Sequence, residues 1–83
     1  MSRGNTATLS IRVHSRACDN FGAVDYTITD TIVERDGGVH VTTVTRGTCE
    51  GARVDERHAK FWPEGSLDKA VSYRISIGYE MRG

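Results

Sequence analysis

The chain has 83 residues, and its eleven basic and eleven acidic side chains cancel to a formal net charge of zero. This length indicates one small globular domain over residues 1–83 and excludes a second independent core. A composition of 37% hydrophobic and 27% charged residues is that of a folded protein rather than a disordered one.

The first half of the chain predicts two strands. Residues 7–14 alternate apolar and polar side chains, a period of two that indicates a strand with one buried face. The same alternation returns over residues 23–35 and predicts a second strand. Asp30 falls on the inward side of that strand, so we expect either a sheet edge or a bulge at this position.

The dipeptide Asp36-Gly37 is the strongest turn signal in the chain, because both residues tolerate the positive φ that a tight hairpin requires. A two-residue turn there sets Ile32 opposite Val41. It also starts a third strand, which we predict over residues 39–46.

The segment after the third strand loses the alternation, and its apolar residues fall at spacings that one face of a helix collects. Asp55 as N-cap and Pro63 as terminator predict a short helix over residues 55–62. An isolated helix of this length is marginal, so we expect it to dock on the sheet with Phe61 and Trp62 as anchors.

Residues 71–81 alternate without interruption and predict the longest strand, which we place at the centre of the sheet beside the first strand. In this prediction the last strand supplies the main stabilising contacts through four buried side chains: Tyr73, Ile75, Ile77 and Tyr79. The predicted fold is therefore α+β, in the order β-β-β-α-β. It is a small antiparallel sheet of about four strands with one short helix packed on one face.

No titratable or nucleophilic group stands in a recognisable catalytic pattern. A general base would be sought at His14 or His40, but a surface histidine is the better explanation of each. Cys18 and Cys49 lack the C-x-x-C spacing of a metal site, and we expect two free thiols, with a disulfide as the alternative. We therefore predict no cofactor, no metal and no enzymatic activity.

Charge is uneven along the chain. Residues 1–18 carry three arginines and no acid, whereas residues 19–36 carry five acids and one arginine, so neighbouring strands would neutralise each other. If the first and last strands are adjacent, four residues form a basic patch on the outer sheet face: Arg12, His14, Arg74 and Arg82. This patch supports one functional hypothesis, a small nucleic-acid or nucleotide-binding domain that uses an arginine-bearing sheet face.

The outer face of the central hairpin is rich in threonine. Threonine is a good strand former, so a solvated face is the plain interpretation, and a lightly charged contact surface is the alternative. An exposed strand edge, such as that of the third strand, would allow a homodimer as well as a monomer.

Our main hypothesis is a non-enzymatic protein-binding module that covers or blocks a surface of a larger partner protein. A phage or mobile-element inhibitor of a host enzyme or defence complex is the setting that fits this size. No apolar stretch approaches the roughly 20 residues of a membrane span and no signal peptide is visible, so we expect a cytoplasmic protein without membrane contact. The candidate partner-binding residues are Arg12, His14, Asn20, Phe21, His40, Arg57, Lys60 and Arg74.

Overall fold

The computed structural model describes residues 5–15, 24–49 and 52–82, and shows an antiparallel sheet with one helix against it. The elements in chain order are β1 (Thr6–Ser15), β2 (Val24–Arg35), β3 (Gly38–Cys49), β4 (Ala52–Pro63), α1 (Leu67–Ser76) and β5 (Glu80–Met81). The strands lie in the order β4-β3-β2-β1-β5. The predicted α+β class is confirmed, with five strands in place of about four. Within the described ranges no helix combines the length and the hydropathy needed to cross a membrane.

The hairpin of β2 and β3 forms as the sequence predicts. Asp36 and Gly37 both have positive φ, 59° and 79°, which matches the twist of the flanking strands. Ile32 lies opposite Val41, so the predicted register is confirmed.

The predicted helix over residues 55–62 is wrong, because this segment belongs to strand β4. Its register against β3 pairs Val39 with Trp62 and Thr43 with His58. By pairing there, the segment satisfies the second row of β3 backbone donors and acceptors, which a helix would leave exposed. The side chains of residues 55–62 are exposed on both faces of the strand, and for that reason the sequence shows no alternation.

The predicted strand over residues 71–81 is also wrong, since most of it forms helix α1. Tyr73, Ile75 and Ile77 are 62%, 50% and 49% exposed and are not core residues. The helical period instead turns Leu67, Ala70 and Val71 toward the sheet.

The ends of α1 explain where it starts and stops. The side chain of Ser66 accepts a hydrogen bond from the Lys69 amide at 3.2 Å and caps the first turn. Gly78, with φ of 111°, lets the chain leave the helix. It then forms β5, which pairs with β1 as predicted but as a two-residue edge strand rather than a central one.

The core lies between α1 and the end of the sheet near the Asp36-Gly37 turn, where α1 packs over β1 and β2. Leu9 and Ile32 are fully buried there. The other buried hydrophobic residues are Ala7, Val39 and Val41. Burial of each large side chain contributes about 1.5–3 kcal/mol to folding.

Candidate functional site

Helix α1 leaves part of its side of the sheet uncovered. It lies over β1 and β2, so a groove of about 390 Å³ opens between the helix and strands β3 and β4. We call this the α1–β4 groove and define it by five apolar or aromatic residues: Val39, Val41, Trp62, Ala70 and Tyr73.

The groove has a buried floor and aromatic walls. Val39 and Val41 form the floor, and both are almost fully buried. Trp62 is opposite Val39 in the β3–β4 register, which places its indole ring on the helix side of the sheet. Tyr73 follows Ala70 by three residues, so it stands one turn further along the same side of α1. Trp62 is 49% and Tyr73 62% exposed, so both rings have large apolar surfaces available for contact.

Basic side chains stand at the rim of the groove. The Nζ of Lys60 lies 4.2 Å from the centre of the Trp62 ring, within reach of a cation–π interaction. Lys69 lines the groove from the helix side. The groove therefore combines an apolar interior with a positively charged border.

A buried ion pair underlies the groove. The Arg74 Nε donates to Asp30 Oδ2 at 2.5 Å, and its Nη1 donates to the Ala70 carbonyl at 3.1 Å. Asp30 is only 3% exposed, and within the described residues its Oδ1 has no hydrogen-bond partner. Asp30 therefore points inward as predicted. The expected sheet edge or bulge at Asp30 is wrong, because β2 pairs without interruption with β1 and β3 there. The carboxylate is tolerated in this buried position because Arg74 neutralises it.

Tyr79 packs at the border of the core, where the charges of this ion pair act on its phenol. Burial, and after it the negative charge of Asp30, raises the pKa of Tyr79 above its usual value, while the positive charge of Arg74 partly opposes the rise. The raised pKa keeps the phenol of Tyr79 neutral to a higher pH than that of an exposed tyrosine.

The opposite side of the sheet, which we call the open face, carries the threonines. Six of its hydroxyl-bearing residues are cross-strand or diagonal neighbours: Thr8, Ser10, Thr27, Thr29, Thr31 and Thr42. Arg12 and Arg82 line a polar hollow of about 470 Å³ on this side, together with Ser10, Thr29 and Glu80.

Polar contacts join several other side chains of the open face. His14 hydrogen-bonds Asp25. The rings of His40 and Phe61 are in contact with their centres 4.6 Å apart and their planes tilted by 41°, and His40 hydrogen-bonds Asp36 at 2.8 Å. Arg46 lies 3.7 Å from Asp55, whereas Arg12 is opposite Thr27, so the register does not pair Arg12 with an acid of the second segment.

The predicted partner-binding residues do not form one site. The pairing register places Arg12, His14, His40 and Arg57 together on the open face. Lys60 lies on the opposite side, beside Trp62.

The predicted basic patch on the outer face is wrong in one member. Arg74 belongs to α1 and points into the ion pair with Asp30, because its segment is a helix rather than a strand. Asn20, Phe21 and Cys18 lie outside the described residues, as does the side chain of Cys49.

Sequence reasoning missed the groove because it misplaced both of its aromatic walls. Trp62 is predicted as an anchor of a helix docked on the sheet and Tyr73 as a core residue, whereas both side chains are exposed. The signal for α1 is Ser66 as an N-cap, followed by Leu67 and Ala70 at helical spacing. The sequence allows a helical turn over residues 66–70 or an irregular lead-in, but the alternation after it favours a strand.

Comparison with protein-family models, with curated proteins and with solved structures finds no match. Within residues 5–15, 24–49 and 52–82, no group of three or more His, Cys, Asp or Glu side chains is arranged to hold a metal ion.

Proposed function

We propose that this chain is a non-enzymatic protein-binding module that covers part of the surface of a larger partner protein, with the α1–β4 groove as its contact site. The observation that carries this proposal is the pair of exposed rings, Trp62 and Tyr73, on either side of the buried floor. Tryptophan and tyrosine that enclose an apolar pocket are the residues that most often dominate binding energy at protein interfaces.

The groove favours a partner segment of defined chemistry. Its interior suits an aliphatic or aromatic side chain, and the ammonium groups of Lys60 and Lys69 at the rim suit a neighbouring carboxylate. We therefore propose an apolar anchor flanked by acidic residues on the partner. As the biological setting we propose a phage or mobile-element inhibitor that occludes a host enzyme or defence complex, on grounds of chain length alone.

The test is quantitative capture from host lysate with tagged wild-type protein and matched variants. We expect a partner that survives nuclease treatment, and we expect Trp62→Ala and Tyr73→Ala to lose it. Truncation of such an anchor costs about 2 kcal/mol or more, which is about a thirtyfold increase in Kd. Ile75→Ala is the matched control, because Ile75 is an exposed apolar residue of the same helix that does not line the groove.

Two results would contradict the proposal. One is a partner that Trp62→Ala and Tyr73→Ala retain as well as wild type does, with circular dichroism showing all variants folded. The other is recovery of material that disappears after nuclease treatment.

A second candidate function, binding of nucleic acid or a nucleotide, is favoured by the hollow on the open face. Arg12 and Arg82 are the basic groups there, with the hydroxyls of Ser10 and Thr29 beside them. The affinity for nucleic acid should fall steeply with added salt. Arg12→Ala should reduce the slope of log K against log salt concentration by about one, the amount expected for the loss of one phosphate contact. A binding constant that is insensitive to salt and to Arg12→Ala would exclude it.

A further inference from the structure

Strand β4 forms one edge of the sheet in the described part of the chain, and it is twelve residues long. The Glu64 amide donates to the Gly37 carbonyl at 2.8 Å, which sets the phase of the β3–β4 ladder. Hydrogen bonding alternates along an antiparallel pair, so the backbone groups of Arg57, Ala59 and Phe61 point away from β3. These groups form a row of donors and acceptors to which another strand can add.

The charges along this edge are complementary to those of the same edge in a second copy. Two copies that pair antiparallel through β4 are related by a two-fold axis perpendicular to the sheet, and residues directly opposite each other must lie on the same face. With the axis at His58, Glu56 of each copy lies opposite Lys60 of the other. The symmetry makes this contact twice.

Neighbouring registers lack this match. An axis at Arg57 places that guanidinium opposite its own copy, which is a like-charge contact. An axis at Ala59 places His58 opposite Lys60 and Glu56 opposite Trp62. Of these three registers, only the one centred on His58 places a carboxylate opposite an ammonium group.

The helix does not obstruct such pairing. Because α1 packs over β1 and β2, strand β4 extends beyond the helix, and the side chains of residues 55–62 are exposed on both faces. A second copy can therefore continue the sheet without displacing any described element.

We propose that this chain forms a homodimer through antiparallel pairing of β4 with β4, in the register that sets Glu56 opposite Lys60 of the second copy. The dimer joins two sheets edge to edge and leaves the α1–β4 groove of each copy on the same side. This proposal does not depend on the function of the groove.

The test is sedimentation equilibrium of the full chain over a wide concentration range. Wild type should dimerise, and Glu56→Lys or Lys60→Glu alone should each weaken dimerisation at least about fivefold, because each reversal turns two attractive cross-strand pairs into repulsive ones. The double reversal Glu56→Lys with Lys60→Glu should restore the wild-type constant. Lys69→Glu on α1 is the control and should have no effect.

A second variant tests the backbone contact directly. Ala59→Pro removes an N–H that points away from β3, so the fold should persist while dimerisation is lost. A protein that stays monomeric at every concentration overturns the proposal, and so does a dimer that both single charge reversals leave intact.

Discussion

Replacing Arg74 should destabilise the fold more than any other single change on α1. Its guanidinium is the partner of a carboxylate, Asp30, that is 3% exposed and has no hydrogen-bond partner for Oδ1 among the described residues. Removing one member of a buried ion pair costs about 3–5 kcal/mol. A chain of 83 residues has a total stability of about 4–12 kcal/mol, from 0.05–0.15 kcal/mol per residue. Arg74→Met should therefore remove a quarter of the stability at the least.

The assay is urea unfolding followed by circular dichroism for Arg74→Met, Asp30→Leu and the double variant. Asp30→Leu should cost less than Arg74→Met, because the Arg74 side chain is 17% exposed and its long stem can turn the charge to water. The double variant should be more stable than the sum of the single losses predicts, since it leaves no charge unpaired. A loss below about 1 kcal/mol for Arg74→Met, or strictly additive losses, would refute the reasoning.

Three further changes test the turn and the core border. Gly38→Ala should cost about 1–3 kcal/mol or more, because a Cβ there would lie 2.2 Å from the Trp62 carbonyl oxygen. Gly37→Ala should cost only about 1–2 kcal/mol for its positive φ, since no atom of the described residues lies within 4 Å of that Cβ. Thermal unfolding that ranks the two in the reverse order contradicts the steric argument. Because its pKa is raised in the folded state, Tyr79 ionises at a lower pH in the unfolded chain than in the folded one. Its contribution to the free energy of unfolding is therefore fully present below pH 10.0 and is lost as pH rises through the raised pKa. Tyr79→Phe should therefore flatten the decline in stability above pH 10.0, and an unchanged alkaline decline would argue against the shift.

The sequence predicted the first three strands well because each has one face that is buried toward the Asp36-Gly37 turn. Alternation of apolar and polar residues is a direct record of that burial, and Asp36-Gly37 adds a turn whose backbone requirement few other residues meet. Hence Ile32 lies opposite Val41 as predicted.

The sequence predicts a helix where β4 lies and a strand where α1 lies, and the two errors have opposite causes. Strand β4 is exposed on both faces, so nothing in residues 55–62 alternates, and its assignment depends on the backbone groups of β3. Helix α1 alternates by coincidence, since Tyr73 and Ile75 are exposed apolar residues that imitate a buried face. An alternation of apolar and polar residues therefore predicts a strand correctly only where its apolar residues are buried.

The same exchange explains which part of the candidate site could be predicted. Arg12 and His14 are on a well-predicted strand, and both lie on the outer face as expected. The groove requires a helix and an edge strand side by side, and neither was assigned correctly. Trp62 and Tyr73 were therefore recognised as important apolar residues but not as neighbours across a groove.

Helix α1 covers only one end of the sheet, and this should divide the amides of a single hydrogen-bonded ladder into two kinetic classes. Near Ile32 and Val41 an amide can exchange with solvent only if the packed helix separates as well. Near Tyr26 and Thr45, which lie outside the buried core cluster, strands can open locally at a smaller free energy. Deuterium uptake should therefore begin at the end of the long hairpins remote from the Asp36-Gly37 turn and reach the covered end only through global unfolding.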